Sequence, residues 1–319
     1  MADCDGTLGE ARTDLAIEVR DLLIKETGRE VQGVEVRNEK MEAGLVCRVT
    51  IRDEAAGRTM GKLPGYYVTI ESGALRERDR AEQEKLARLF SVELGAFLKN
   101  VGPEDTVLVV GLGNWNSTPD ALGPRVVHHI LVTRHLFASS PPEKWGGLRP
   151  VCGISPGVLG TTGLETGEIV RGVVDRIKPK CVVAVDALAS RSTSRVCGTI
   201  QISDTGINPG SGVGNKRVGI NADVLGVPVI AVGVPTVVHA ITIAGDAMDL
   251  LSGDGGDGPD ASAKRAALKQ VLAPYMGDLI VTPKEIDVLI EDVSKVVAGG
   301  MNAALHPDIG WDEMYQYLQ

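Results

Sequence analysis

The chain has 319 residues, 43% hydrophobic and 24% charged, enough to bury a full hydrophobic core. Acids outnumber bases 42 to 33, a net charge of −9, and aromatic residues make up only 3%. That balance excludes a sequence-independent grip on nucleic-acid phosphates and a base-stacking platform.

In chain order, residues 1–15 carry no apolar core of a signal peptide, and no apolar run approaches the roughly 18 residues of a membrane span. The five cysteines, Cys4, Cys47, Cys152, Cys181 and Cys197, are irregularly spaced and form no C-x-x-C pair. Together these features predict a soluble protein of a reducing, cytoplasmic compartment. Leu15 to Glu26 sets Leu15, Val19, Leu22 and Leu23 at helical spacing. Two or three strands are expected next. In 45–52 (LVCRVTIR) Leu45, Cys47, Val49 and Ile51 share one face, and 66–71 (YYVTIE) is rich in β-branched and aromatic residues. From Ala81 to Asn100 one helical stripe runs through Leu86, Leu89, Phe90, Leu94, Phe97 and Leu98.

The texture then changes. Residues 106–112 (TVLVVGL), 181–187 (CVVAVDA) and 227–234 (VPVIAVGV) are nearly unbroken apolar runs, the pattern of strands buried on both faces of a parallel sheet. Helices are expected between them over Ala121–Leu136 and Thr166–Ile177. Near the end, Thr282-Pro283-Lys284-Glu285 has the form of an N-cap, an N1 proline and a capping-box acid. It opens a helix that Gly299-Gly300 should stop. Gly206–Gly219 is a glycine-rich loop with a pair of bases, and Ser252–Ser262 an acidic one. The alternation predicts an α/β fold with a mostly parallel sheet.

The first apolar run ends in Gly111-Leu-Gly113-Asn-Trp-Asn116, followed by Ser-Thr-Pro-Asp120-Ala-Leu-Gly123. Asn116 stands where a dinucleotide fingerprint needs its third glycine, and no Lys-Ser/Thr follows to make a P-loop. What remains is a carboxylate, Asp120, at the edge where open α/β sheets place their sites; its plain alternative is a helix cap. The second run ends in Asp186, costly to bury without a partner. Two carboxyls on one edge can share a proton and activate water. His239, after the third run, is the candidate third group, and an Asp120/Asp186/His239 set could hold one divalent metal ion. Adjacent His128 and His129 face different ways and make a poor metal pair. Gly153-Ile-Ser155-Pro-Gly157 matches the nucleophile-elbow pattern, and Ser155, Asp186 and His239 follow in hydrolase order. Pro156, however, lacks the N–H that an oxyanion hole needs there, so this turn is expected to be structural or substrate-lining.

With these residues in hand, the chain resembles the germination protease family of endospore-forming bacteria. The resemblance rests on ARTDLAIE (11–18), GLGNWNSTPDALGP (111–124), ISPGVLGTTGLETGEI (154–169), VDALASRS (185–192) and TGINPGSGVGNKR (205–217). It extends from about Arg12 to the terminal helix but does not include 252–262. It implies an intracellular endopeptidase that degrades small acid-soluble spore proteins in the developing spore and spore core, without nucleic-acid or membrane partners, as a homotetramer. It also implies an atypical aspartic peptidase whose two acids correspond to Asp120 and Asp186, working without a cofactor. The Asp-Ala-Leu-Gly segment is similar to that of hydrogenase maturation endopeptidases, in which the corresponding acids and a His bind metal. The shared fold would be a three-layer αβα sandwich with a smaller β-rich N-terminal addition. The resemblance further implies a zymogen that removes its own short propeptide and an enzyme that cuts substrates after an acid in a Thr/Glu-acid-apolar-Ala context. Thr13-Asp14-Leu15-Ala16 has that form, which predicts self-cleavage between Asp14 and Leu15. The expected organisation is therefore a propeptide, 1–14, and one peptidase domain, 15–319, with 15–80 its helix and β-rich part and 81–319 its sheet core.

In the expected mechanism, one ionised carboxyl takes a proton from the attacking water. The other, protonated, hydrogen-bonds the scissile carbonyl oxygen and then supplies a proton to the leaving amine. Reading an acid beside the cut calls for a base in the cleft, and Arg191, Arg195, Lys216 and Arg217 are the candidates.

Overall fold

The computed structural model describes residues 13–139, 146–208, 218–252 and 279–311, with the isolated positions 267, 270 and 271. Lys216, Arg217, Cys4, most of the propeptide, most of the Gly206–Gly219 loop and all of the Ser252–Ser262 loop after its first residue lie outside the described residues.

The chain opens with helix α1 (Ala16–Thr27), closed by Gly28 in the left-handed conformation. Strands β1 (Val34–Met41) and β2 (Gly44–Ile51), helix α2 (Glu54–Met60) and strand β3 (Gly65–Glu71) follow. After the short α3 (Ala74–Glu77), α4 (Arg80–Phe97) starts at Asp79, whose carboxylate accepts the N–H groups of Ala81 and Glu82. The three apolar runs become β4 (Val107–Gly111), β6 (Cys181–Ser190) and β8 (Val229–His239), with nearly every residue buried. Between them lie α5 (Leu122–His129), α6 (Arg134–Ser139), β5 (Val151–Ile154), α7 (Leu159–Thr162), α8 (Thr166–Ile177), β7 (Thr199–Ser203) and α9 (Ala222–Leu225). Helix α10 (Ala240–Ser252), the two-residue β9 (Ile280–Val281) and α11 (Ile286–Leu305) complete the described part.

The nine strands among the described residues form one sheet in the order β1-β2-β3-β7-β8-β6-β4-β5, with β9 paired to β8. Strands β8, β6, β4 and β5 run parallel, while β7 and β1–β3 continue the sheet antiparallel. One face packs against α4, α5 and α11 through Val183, Val185, Val232 and Phe90, among others. The other face is split. Helices α8 and α9 cover Leu108, Val110, Val182 and Ala184, whereas α1 and α2 cover Cys47, Val49, Tyr67 and Leu188. The result is a three-layer α/β sandwich, the fold that the family resemblance implies, in the α/β class that the run pattern predicts. Cys47, Cys181 and Cys197 are buried free thiols, and Cys152 is half-buried and free.

Three local expectations are corrected. The single helix expected over Ala121–Leu136 is two, because Asn302 of α11 intercepts the backbone between them. Its side-chain oxygen accepts from Leu131 N–H at 2.9 Å and its amide donates to the His129 carbonyl at 3.0 Å. Gly299-Gly300 does not stop α11, which runs on to Leu305. Gly300 is where α4 makes its close approach: a Cβ there would come within 2.7 Å of the Ala87 carbonyl oxygen. Finally, α11 starts at Ile286 rather than after a Thr282 cap. Ile280–Val281 pair with β8, and Thr282 leaves that strand with its hydroxyl donating to the Thr236 carbonyl at 2.9 Å.

Candidate active site

The connection after β4 leads by α5 on one face to β5, on one side of β4. The chain then returns by α8 on the opposite face to β6, on the other side of β4. A crevice opens at such a reversal, between the carboxyl ends of the two central strands. Asp120 and Asp186 belong to those two strand ends. Gly111 and Gly123 make the join tight: a Cβ on either would strike backbone of the other's segment. Leu112 N–H therefore reaches the Val185 carbonyl at 2.8 Å, and the loop folds back as a 3-10 turn, Thr118–Asp120. Gly113 has φ +113°, and a Cβ there would strike the Asp120 carbonyl oxygen. Asp120 is thereby held half-buried, its carbonyl accepting Asn114 N–H at 3.0 Å.

Asp186 is 6% exposed and lies on the split face, between the clusters under α8 and under α1. Its carboxylate accepts Ala187 N–H at 2.9 Å. Burial pushes its pKa well above the usual carboxylate range, and the charges of Asp120 and then Asp14 push it further; the Ala187 bond opposes them. The two sequence-predicted acids are thus electrostatic neighbours, with the predicted cleavage-site acid as a third.

The segment Thr13–Ala16 is fixed in this place by its backbone. Asp14 N–H donates to the Ala189 carbonyl at 3.0 Å, and Ala189 N–H donates to the Asp14 carboxylate at 2.9 Å. The Asp14 carbonyl oxygen accepts Lys62 Nζ at 2.9 Å and Gln201 Nε2 at 3.2 Å. The Gln201 side-chain oxygen accepts Ala16 N–H at 2.9 Å. Gln201 reaches the site because it pairs with Gly233, which in turn pairs with Asp186, so all three share one row across β7, β8 and β6. The side chain between them is a hydrogen. Leu15 and Ala16 are fully buried, and Glu18 of the first turn accepts the N–H groups of Arg191 at 2.7 Å and Ser192 at 3.0 Å.

His239 is not brought to this place. It is six residues beyond Gly233 along β8, about 20 Å at the rise of a strand, and pairs with Ile280. Neither the metal set Asp120/Asp186/His239 nor the Ser155/Asp186/His239 triad is assembled. Ser155 itself is exposed just after β5, with β4 between it and β6. Among the described residues no group of three or more His, Cys, Asp or Glu is arranged to hold a metal ion. Of the expected specificity bases, the two among the described residues are paired with acids: Arg191 with Asp246 at 2.7 Å, and Arg195 with Glu71 at 3.1 Å and Glu18 at 3.6 Å. The cation that meets Asp14 is Lys62, which sequence reasoning passed over. Its sign, with hindsight, is a lone base in the Gly-Lys-Leu-Pro-Gly turn between α2 and β3, and that of Gln201 is one amide inside the apolar TIQIS strand.

Comparison with known proteins gives a consistent result. The germination protease family model matches residues 10–259 and 253–318. The germination protease of Caldanaerobacter subterraneus subsp. tengcongensis is 48% identical, with 96% of this chain and 98% of that protein covered. Those of Bacillus cereus strain B4264 and Bacillus anthracis strain CDC 684 are 44% and 43% identical, each pairing covering 96% of both chains. Among solved structures, a [NiFe] hydrogenase maturation protease from Thermococcus kodakarensis KOD1 aligns over 66% of this chain and 98% of its own, at 17% identity and a TM-score of 0.34. No helix among the described residues is long and apolar enough to cross a membrane. On the near-complete match to the family and its members, this chain belongs to the germination protease family of peptidases.

Proposed function

We propose that this chain is the precursor of an aspartic-type endopeptidase that cuts itself between Asp14 and Leu15 and then degrades small acid-soluble spore proteins in the spore. The observation that carries the reading is the seat of Asp14. It pairs with Ala189 on β6, three residues from Asp186, and its charge helps raise the pKa of Asp186, so the bond to be cut is held within electrostatic reach of the acid that would cut it.

Burial and the neighbouring charges favour the proton on Asp186, which leaves Asp120, half-exposed, as the ionised base. Asp120 takes a proton from water as the water oxygen bonds to the Asp14 carbonyl carbon. Asp186 gives its proton to the Leu15 nitrogen as the C–N bond breaks. A proton passing from Asp120 to Asp186 restores the pair, and the net change is one water consumed. The apparent pKa values of such a reaction belong to the pair. The preference for an acid before the cut has a physical source here: the substrate's carboxylate both accepts the Ala189 N–H and holds the proton on Asp186. A metal-assisted version lacks its third ligand, since His239 does not fit. By analogy with the family, the mature enzyme assembles as a homotetramer, which light scattering of the purified protein checks.

The test is incubation of the full chain at mildly acidic pH, followed by intact mass and N-terminal sequencing. A chain starting at Leu15 is expected, and a stable Met1–Gln319 chain would overturn the reading. A purified small acid-soluble spore protein, offered to the cut enzyme with and without chelator, then tests substrate and metal independence together.

A further inference from the structure

The proposed chemistry assigns the water and the leaving amine to the two acids but leaves open what receives the negative charge on the scissile oxygen. We infer that Lys62 and Gln201 form the oxyanion site of this peptidase. Residue by residue, the Asp14 carbonyl oxygen is held from two elements remote in sequence. One is the turn between α2 and β3, which carries Lys62. The other is β7, which carries Gln201. Both donors are already at hydrogen-bond distance, 2.9 and 3.2 Å, so neither must move as charge develops.

The surroundings suit that task rather than a surface anchor. Gln201 is 9% exposed, and its two amide ends embrace the cut: Nε2 donates to the Asp14 oxygen and Oε1 accepts from Ala16 N–H. Gln201 therefore grips the peptide to be cut by its oxygen and the next peptide by its N–H. Lys62 as a residue is only partly buried, yet its ammonium sits deep enough that desolvation draws its pKa down, while Asp14 and Glu18 oppose the shift. A cation in such a place interacts far more strongly with a developing oxyanion than one in water. It also donates to the Thr13 carbonyl, at 3.4 Å, which ties the residue before the acid to the same point.

The electron balance is simple. As water bonds to the carbonyl carbon, the C=O π pair moves onto oxygen, where Lys62 and Gln201 neutralise it. When the C–N bond breaks, that pair re-forms the carbonyl, and both donors are left holding the new carboxyl of Asp14. Neither residue gains or loses a proton. The role differs from the sequence-based expectation that a protonated aspartate polarises this oxygen: the donors on it are Lys62 and Gln201.

This inference rests on cleavage between Asp14 and Leu15, and the experiment separates the two. Full-length wild type, Lys62→Met, Lys62→Arg, Gln201→Met and Asp120→Asn are incubated in parallel. Conversion to the Leu15-start chain is followed by intact mass, and folding by near-UV circular dichroism and the thermal midpoint. Removal of one oxyanion donor lowers rates by about 10²–10³-fold, and Lys62→Met is expected in that range with the fold retained. Gln201→Met is expected to lose about 10-fold or more, and Lys62→Arg, which keeps the charge, to retain more rate than Lys62→Met. Folded Lys62→Met cutting within about 3-fold of wild type, or faster, would show the lysine to be only a clamp on the uncut segment. Equal rates for Lys62→Arg and Lys62→Met would reduce it to a spacer. If Lys62→Met does not fold, folded Gln201→Met at the wild-type rate overturns the inference. An uncut wild-type chain sinks both readings, whereas wild type and Lys62→Met cutting alike while Asp120→Asn does not sinks this one alone.

Discussion

Asp186 on β6 and His239 on β8 are both nearly buried polar residues near the carboxyl ends of neighbouring parallel strands, 6% and 2% exposed. Each is a polar group near the end of a largely apolar strand, and each is a candidate site residue in the sequence. Their surroundings are not alike. Asp186 stands where β4 stops pairing with β6, beside the returning Asp120 loop and in a row with Gly233 and Gln201. His239 stands after β8 has run on past that level, paired with Ile280 of β9. What separates the two residues is register relative to the point where the sheet reverses, not residue type at a strand end.

The sharpest way to break that comparison is to alter the two residues in the same assay. Asp120→Asn and Asp186→Asn each keep shape and remove acid–base function, and each should lower the rate of Leu15-start formation by at least about 10³-fold. His239→Gln, in a protein shown by circular dichroism to be folded, should cut within about 3-fold of wild type. A loss with His239→Gln comparable to that of the aspartates would mean that the two strand ends work as one site.

The loop geometry offers the next largest effect. Gly113→Ala forces a Cβ against the Asp120 carbonyl, and a displacement of about 1 Å of a catalytic group costs on the order of 100-fold in rate. Gly226→Ala is the control. It too sits at positive φ, +71°, but nothing lies within 4 Å of its added carbon, so it should lose about 1 kcal/mol of stability and none of the cleavage.

Charge at the proposed cut tests what raises the Asp186 pKa. Asp14→Asn keeps an oxygen for Ala189 N–H and removes one of the charges that raise the Asp186 pKa. The high-pH limb of the cleavage profile should then move to lower pH, because Asp186 gives up its proton sooner. An unmoved limb would show that burial and the Asp120 charge set it without Asp14. The same shift has a stability consequence. A carboxyl with a raised folded pKa keeps its proton above the pH at which the unfolded chain has released its own, so stability falls as pH rises between the two values. Asp186→Asn removes that fall. Its thermal midpoint should exceed wild type by a few degrees at pH 7–8 and converge with it toward pH 4. A midpoint difference independent of pH would contradict the buried, protonated acid.

Much of this was legible in the sequence. The apolar runs of β4, β6 and β8 announced the central strands because burial on both faces leaves no polar positions, and Asp186 announced itself by interrupting one. Segments governed by tertiary contact were not legible. Asn302 divides a helix pattern from 171 positions away, and Gly300 permits a helix contact instead of ending a helix. The oxyanion donors fall in the same class. Lys62 resembles any loop lysine and Gln201 any strand amide until β3 pairs with β7 and brings their elements together.

The smallest predicted effect concerns the bases that sequence reasoning favoured. Arg191 follows directly on the Asp186 strand, so a role in reading the acid before the cut is the natural expectation. Its guanidinium is instead paired with Asp246 at 2.7 Å in a half-exposed position, a contact of the kind worth about 0–1 kcal/mol. Its backbone N–H, which a side-chain substitution leaves in place, is the part bound to Glu18. Arg191→Gln should therefore shift the thermal midpoint by no more than a degree or two and the cleavage rate by less than about 3-fold. A large loss confined to substrates with an acid before the cut would return the specificity role to Arg191 and take it from the Ala189 amide.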